Sequence, residues 1–240
     1  MSSNSETGHA VNIANFGIII MICEGHGAWY NPTNPLIFVV NMKAQLDAAT
    51  ALQDAYMLAK ARILGPRNDR AILYEKLISV AKRSVGVLES SEANTGEIER
   101  AKSLVRLITG SNVRKKKGAK KRKEGAEERS NSHLGFVMRL DNFVQLQIFY
   151  AGNANYAPNE ADLKVGSMQN LITDINAMNE TVEKREIAAE NLLIERNKTF
   201  YKNENCLIDV SLKCKKYVMG LFGARSEEAK SVTGIKLRRF

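Results

Sequence analysis

The chain carries one long segment twice. Shifting the 240-residue sequence by 126 positions lays Tyr30 on Tyr156, Pro32 on Pro158 and Met42 on Met168. The same shift sets Leu46 on Ile172, Ala49 on Ile175 and Leu52 on Met178. Shifts one to four residues longer carry the match outward. Asn15-Phe16 then meets Asn142-Phe143, and Arg67-Asn68 meets Arg196-Asn197. Leu77, Ile78 and Val80 meet Leu207, Ile208 and Val210, and Ala101-Lys102-Ser103 meets Ala229-Lys230-Ser231. No single identity carries the match; the preserved order does. A period this long marks a duplicated unit, because solenoid repeats recur every 20–50 residues or so.

The repeated segment has the period of a helix. Met42, Ala49, Tyr56 and Ile63 are seven apart, and so are Met168, Ile175, Val182 and Ala189. Seven-residue spacing keeps an apolar seam on one side of a helix. Gln45 weakens the first seam and Arg185 interrupts the second. Asn34 followed by Pro35, and Asn159 followed by Glu160 and Asp162, are start signals. Roughly 30 residues make a rod of about 45 Å. Gly65-Pro66 predicts a stop, because proline has no N–H for the helix ladder.

Around each long helix the pattern predicts further helices. Gly8–Glu24 precedes the first copy, and Phe136, Leu140, Phe143, Leu146 and Phe149 mark the helix before the second. Third helices are expected from about Asn68 to Leu88 and from Lys198 to Leu221. A fourth is expected at Glu97–Ile108, with a shorter counterpart after Ser226 and an extended tail from Val232. The expectation is an all-α, elongated helical bundle of two duplicated three- to four-helix units, 1–110 and 133–240, joined by a basic flexible linker at 111–132.

Charge is concentrated in that linker. Arg114, Lys115, Lys116, Lys117, Lys120, Lys121, Arg122 and Lys123 are eight cations in ten residues, and removing them from the net +9 leaves +1. The run has no apolar period, so it does not enter a core. It reads as a solvated linker or as a nonspecific nucleic-acid-binding segment, with Lys236, Arg238 and Arg239 as helpers. If all eight engaged duplex DNA, affinity would fall with salt by a log–log slope of up to about −7. The segment holds no aromatic residue to stack on bases, so sequence readout is not expected.

Three cysteines, Cys23, Cys206 and Cys214, argue against a disulfide framework and for a reducing compartment. Cys206 and Cys214 read as small buried residues. The first Lys or Arg is Lys43, so the positive start of a secretory signal is missing. The apolar run Phe16–Cys23 has eight residues, where a spanning helix needs about 20. The expectation is therefore a cytoplasmic protein with no membrane span; exposure of Phe16–Cys23 to a membrane is the remote alternative.

Thr7-Gly8-His9-Ala10, Asn15-Phe16, Tyr30-Asn31-Pro32, Arg139 through Phe143, Tyr156 through Leu163 and Phe222-Gly223-Ala224-Arg225-Ser226, with Lys230 and Val232 through Lys236, carry a resemblance. In these residues, over most of its length, the chain resembles an uncharacterised bacterial family of two tandem helical halves. The resemblance implies an all-helical duplicated fold and carries no activity. The density of Lys and Arg at 114–123 departs from it.

Catalytic patterns are missing. A di-metal bundle needs paired Glu-x-x-His motifs, and this chain has one such spacing, Glu6 to His9. Cys23 and His26 have zinc-like spacing without a second pair. Gly110–Lys117 lacks the second glycine and the Lys-Ser/Thr ending of a phosphate loop. No Gly-x-Ser-x-Gly or dinucleotide fingerprint occurs. The reading is a non-enzymatic scaffold or interaction protein, without cofactor or small-molecule ligand. Its partner is another protein or a second copy, with nucleic acid as the alternative. Tyr30 and Tyr156 are expected to pack their loops onto the bundle.

Overall fold

In the computed structural model, which describes residues 4–110 and 129–239, every regular element is helical. α1 spans Asn4–Gly25, α2 Val39–Glu89, α3 Thr95–Thr109, α4 Arg129–Ala151, α5 Val165–Asn197, α6 Leu207–Phe222 and α7 Glu227–Thr233. The protein is all-α among these residues. The basic run and most of the expected linker lie outside them; from Arg129 the chain is already helical.

The start signals act one turn earlier than the sequence suggests. Asn34 does cap, accepting from Leu36 N at 3.0 Å, but it caps a single 3-10 turn, Pro35–Ile37. Phe38 is extended, and α2 begins at Val39. The stretch after Tyr156 has the same course, with a 3-10 turn at Ala161–Leu163, an extended Lys164 and α5 from Val165. There Asn159 is not the cap; Glu160 holds that place without a side-chain bond. Both loops are pinned by a tyrosine. Tyr30 OH donates to Ile37 O and Tyr156 OH to Leu163 O, each at 2.8 Å.

The predicted stop at Gly65-Pro66 is not a stop. α2 continues through Pro66 to Glu89 and absorbs the expected third helix of the first half. Pro66 cannot donate to the carbonyl four residues back, Arg62 O. That carbonyl instead accepts from Arg185 Nη1 at 2.6 Å. The arginine that interrupts the second apolar seam thus repairs the ladder broken by the proline.

The interruption falls in the other half, at a place that holds no proline. α5 ends in a π-helical turn, Lys198–Lys202, closed by Asn203 N donating to Lys198 O at 3.0 Å. Asn205 follows in the left-handed region with φ of 60°, a conformation asparagine tolerates better than most residues. Gln45 Nε2 holds the Asn205 carbonyl at 2.9 Å, which accounts for a polar residue beside the first seam. α6 therefore begins at Leu207 rather than Lys198. Later boundaries agree with sequence. Asn94 and Glu97 form a reciprocal capping box at α3, Gly223 closes α6 at φ 90°, and Ser226 Oγ caps α7 through Ala229 N at 3.1 Å.

The compact units are not the consecutive halves 1–110 and 133–240. Unit 1 comprises Met1–Ile63 with Lys184–Phe240, and unit 2 comprises Leu64–Glu183. Each has its own apolar core. Phe16, Ile19, Ile20, Met42 and Ala49 of unit 1 pack with Leu207, Val210, Val218 and Val232. In unit 2, Phe143, Leu146, Met168 and Ile175 pack with Leu77, Val80, Leu88 and Ala101. Within unit 1, α6 contacts α1, α7 and the Pro35–Ile37 turn; within unit 2, α3 lies against α4. Helices of one sequence half thus complete the core begun by the other. Burying a single Phe or Leu side chain contributes roughly 1.5–3 kcal/mol, and each unit draws on both halves for it.

Candidate functional site

Near the end of α1, Cys23 meets Cys214 of α6, with Sγ atoms 3.2 Å apart and both side chains fully buried. Tyr30 OH lies 3.4 Å from Cys214 Sγ. A proton count orients the group. The phenol has one proton and donates it to Ile37 O. With both thiols protonated, Cys214 therefore donates to the Tyr30 oxygen and Cys23 donates to Cys214. Hydrogen bonding to Cys214, then burial, push the Cys23 thiol up. The Cys23 S–H, against the opposing effect of burial, draws Cys214 down, with Lys215 adding to it. Burial raises Tyr30, and its ring meets Tyr217 edge-on at 5.3 Å.

Unit 2 builds the corresponding place from other atoms. Offsets of 127, 130 and 126 take Cys23, Cys214 and Tyr30 to Tyr150, Ser84 and Tyr156. Ser84 Oγ donates to Ala81 O at 2.9 Å, so the bond of 3.0 Å between Ser84 and Tyr150 runs from the phenol to the hydroxyl. Tyr150 and Tyr156 stack at 3.8 Å with planes 9° apart. Burial pushes the Tyr150 phenol up to about 12.

A second buried cluster occupies unit 1. Arg196, 3% exposed, donates to Gln53 Oε1 at 3.2 Å and to Asn197 Oδ1 at 3.1 Å, and lies over the Tyr56 ring at 4.6 Å. It also reaches His9 Nε2 at 3.0 Å. A guanidinium only donates, so Nε2 accepts and the imidazole proton sits on Nδ1, facing Tyr201 OH at 2.5 Å. Asn12 joins Tyr201 to the backbone of Arg238, donating to its carbonyl at 2.7 Å and accepting from its N–H at 2.9 Å. In unit 2, Arg70 occupies the position 126 residues before Arg196; it is 7% exposed and lies over Phe136 at 4.7 Å. Its Nε has no acceptor among the described residues, and Asn179 donates to Tyr74 OH instead, at 3.1 Å. The longer shift that lays Arg67 on Arg196 in the sequence is not the one the fold follows. The extra residues in the second half belong after the arginine, and the growth of the offset from 126 to 130 was the available signal.

These clusters are interior and hold helices together. Among the described residues no group of three or more His, Cys, Asp and Glu could hold a metal. His26 packs on Phe222 with ring centroids 4.7 Å apart. An open hollow of about 500 Å³ is lined by Glu204, Asn205, Asp209, Leu212, Lys213 and Lys216. The eight cations at 114–123 lie outside the described residues. Of their expected helpers, Arg239 is already engaged with Asp209 at 2.7 Å and Tyr201 O at 3.0 Å, and Lys236 O accepts from Asn15. Cys206 and Cys214 are buried as expected.

The outward side of α1 is apolar. Val11, Ile18 and Met21 are exposed there, Met21 to 62%, and Trp29 follows at 75%. On α4 the positions matching Val11 and Met21 are Met138 and Ile148, which are also exposed. By length and composition Gly8–Gly25 could cross a membrane; a third of it is buried, including the Phe16, Ile19, Ile20 and Cys23 face that forms the unit 1 core. No family model, no curated protein and no solved structure matches the chain.

Proposed function

We propose that this is a non-enzymatic interaction protein, made of a duplicated helical module and acting through the outward face of α1. The observation that carries the reading is the apolar stripe Val11, Ile18 and Met21 with Trp29 beyond it. A cluster of exposed large apolar side chains is costly in water and is the usual mark of a contact surface. Equivalent exposure on α4 fits two copies of one module with one kind of face. The identical tyrosine anchors of the two loops, and the way each core is completed by the other sequence half, support a module whose copies exchanged their third helices. The absence of a nucleophile-and-base arrangement in the sequence fits a scaffold.

The partner is a second copy or another protein with an apolar surface. Sedimentation across a concentration series tests the first. The intact chain is expected to gain mass with concentration, and Ile18→Asp with Met21→Asp to remain monomeric while keeping its helical signal. If the intact chain stays monomeric throughout, self-association is removed as the role of this face.

The eight cations favour a second reading, nonspecific nucleic-acid binding through Arg114–Lys123. A gel-shift salt titration should then show a steep loss of affinity with salt. Unchanged affinity after deletion of 114–123 would dispose of it.

A further inference from the structure

We infer that Cys23 and Cys214 are a redox-active dithiol, a modification site that closes to a disulfide under a hydroperoxide. The two sulfurs already touch at 3.2 Å, from helices far apart in sequence, and need to close by about 1.2 Å to reach the length of a disulfide bond. The third cysteine, Cys206, forms no bond with either of them.

The surrounding hydrogen bonds oppose the oxidised form only weakly. Closing the bond removes two thiol protons, both weak donors. It strands no strong donor, because the Tyr30 hydroxyl keeps Ile37 O at 2.8 Å. The corresponding place in unit 2 closes the same helix contact with Ser84 and Tyr150. Packing at this position therefore does not require sulfur, and the thiol pair adds chemistry that the other unit lacks.

The reaction balances as follows. The Cys214 sulfur attacks one peroxide oxygen, the O–O bond breaks, and the departing oxygen leaves as water with the thiol proton. Cys214 is then a sulfenic acid. The Cys23 sulfur attacks that sulfur, the S–O bond breaks, and a second water leaves with the Cys23 proton. Two thiols are oxidised by two electrons and one hydrogen peroxide is reduced to two waters. Neither sulfur is exposed, so the rate follows local opening at the end of α1, and the reaction is slow in the folded protein. The product would tie Met1–Ile63 to Lys184–Phe240, the two segments from which unit 1 is built.

The experiment treats the reduced full chain with hydrogen peroxide and follows it by intact mass, thiol count and peptide mapping. The expected result is a loss of 2 Da, one remaining thiol at Cys206, a Cys23–Cys214 linked peptide, and a urea midpoint that rises and returns with reductant. Cys206→Ser should behave the same with no thiol left. Three thiols persisting in the folded chain, under treatment that oxidises the urea-unfolded chain, would overturn the proposal. So would a link that includes Cys206.

Discussion

Unit 1 and unit 2 solve one packing problem with different atoms. Where α4 meets the second part of α2, a phenol donates to a serine hydroxyl that donates in turn to a backbone carbonyl, and two tyrosine rings stack beside them. Where α1 meets α6, two thiols and a tyrosine stand in the corresponding positions. The buried arginines differ in the same manner. Both lie over an aromatic ring, but Arg196 is also surrounded by amide and imidazole acceptors. The backbone frame tolerates either chemistry: the arginine of unit 1 is held by acceptors, whereas Arg70 Nε in unit 2 has none among the described residues and departs from the rule that buried polar groups are hydrogen-bonded.

The largest effect should come from the cores. Phe16→Ala and Phe143→Ala each delete a fully buried ring and should cost about 3–5 kcal/mol. Hydrogen exchange read by mass spectrometry tells where the loosening goes. Phe16→Ala should speed exchange in 184–239 as well as in 8–63, and Phe143→Ala in 64–110 as well as in 135–183. If Phe16→Ala loosened 64–110 instead, cooperativity would follow the sequence halves and the contrast between units would fail.

The tyrosine anchors come next. Tyr30→Phe and Tyr156→Phe each leave a buried carbonyl, Ile37 O or Leu163 O, without its donor. Each should cost about 1–3 kcal/mol by urea denaturation, and the two costs should fall in that same range. A large inequality would mean that the loops only look alike.

Alkali should weaken the fold through the same rings. Burial raises the phenols of Tyr30, Tyr150 and Tyr156 above their ordinary value of 10, with Tyr150 at about 12. Above pH 10 the unfolded chain releases these protons while the folded chain retains them. Stability is therefore full below pH 10 and falls as pH rises from 10 towards 12. Tyr150→Phe should make the decline of the urea midpoint shallower, and an unchanged decline would remove Tyr150 as a contributor.

The smallest effect concerns the proline in α2. Arg185→Ala should cost about 0.5 kcal/mol, because Arg62 O is exposed and water can replace the guanidinium. In a Pro66→Ala background, where the ladder is whole, the same substitution should cost nothing. An equal cost in both backgrounds would separate Arg185 from the proline.

Local chemistry was legible in sequence and long-range chemistry was not. The helix expected at Glu97–Ile108, which the structure begins at Thr95, the glycine at 223 and the seams through Met42, Ala49, Met168 and Ile175 lie where their spacing placed them. Pro66 misled because its remedy is an arginine more than a hundred residues away. The break at Asn203–Cys206 has no proline to announce it; only the lengthening offset between the halves carried the signal. Completion of each core by the opposite half was invisible for a deeper reason. When two segments share one apolar pattern, either can satisfy the same partner, and the pattern cannot say which does.

Unit 1 gathers its helices from both sides of unit 2 in the sequence, and synthesis must respect that order. Once Ile63 has been made, about 120 further residues must be added before Lys184 and the segments after it emerge, a wait of roughly 6–24 s at ordinary translation speed. Through that interval Phe16, Ile19 and Cys23 lack the α6 surface that later covers them. Unit 2, drawn from one unbroken stretch, can close earlier. The nascent chain therefore presents an uncovered apolar helix to whatever waits at the ribosome exit, and chaperones would meet this protein at its first helix.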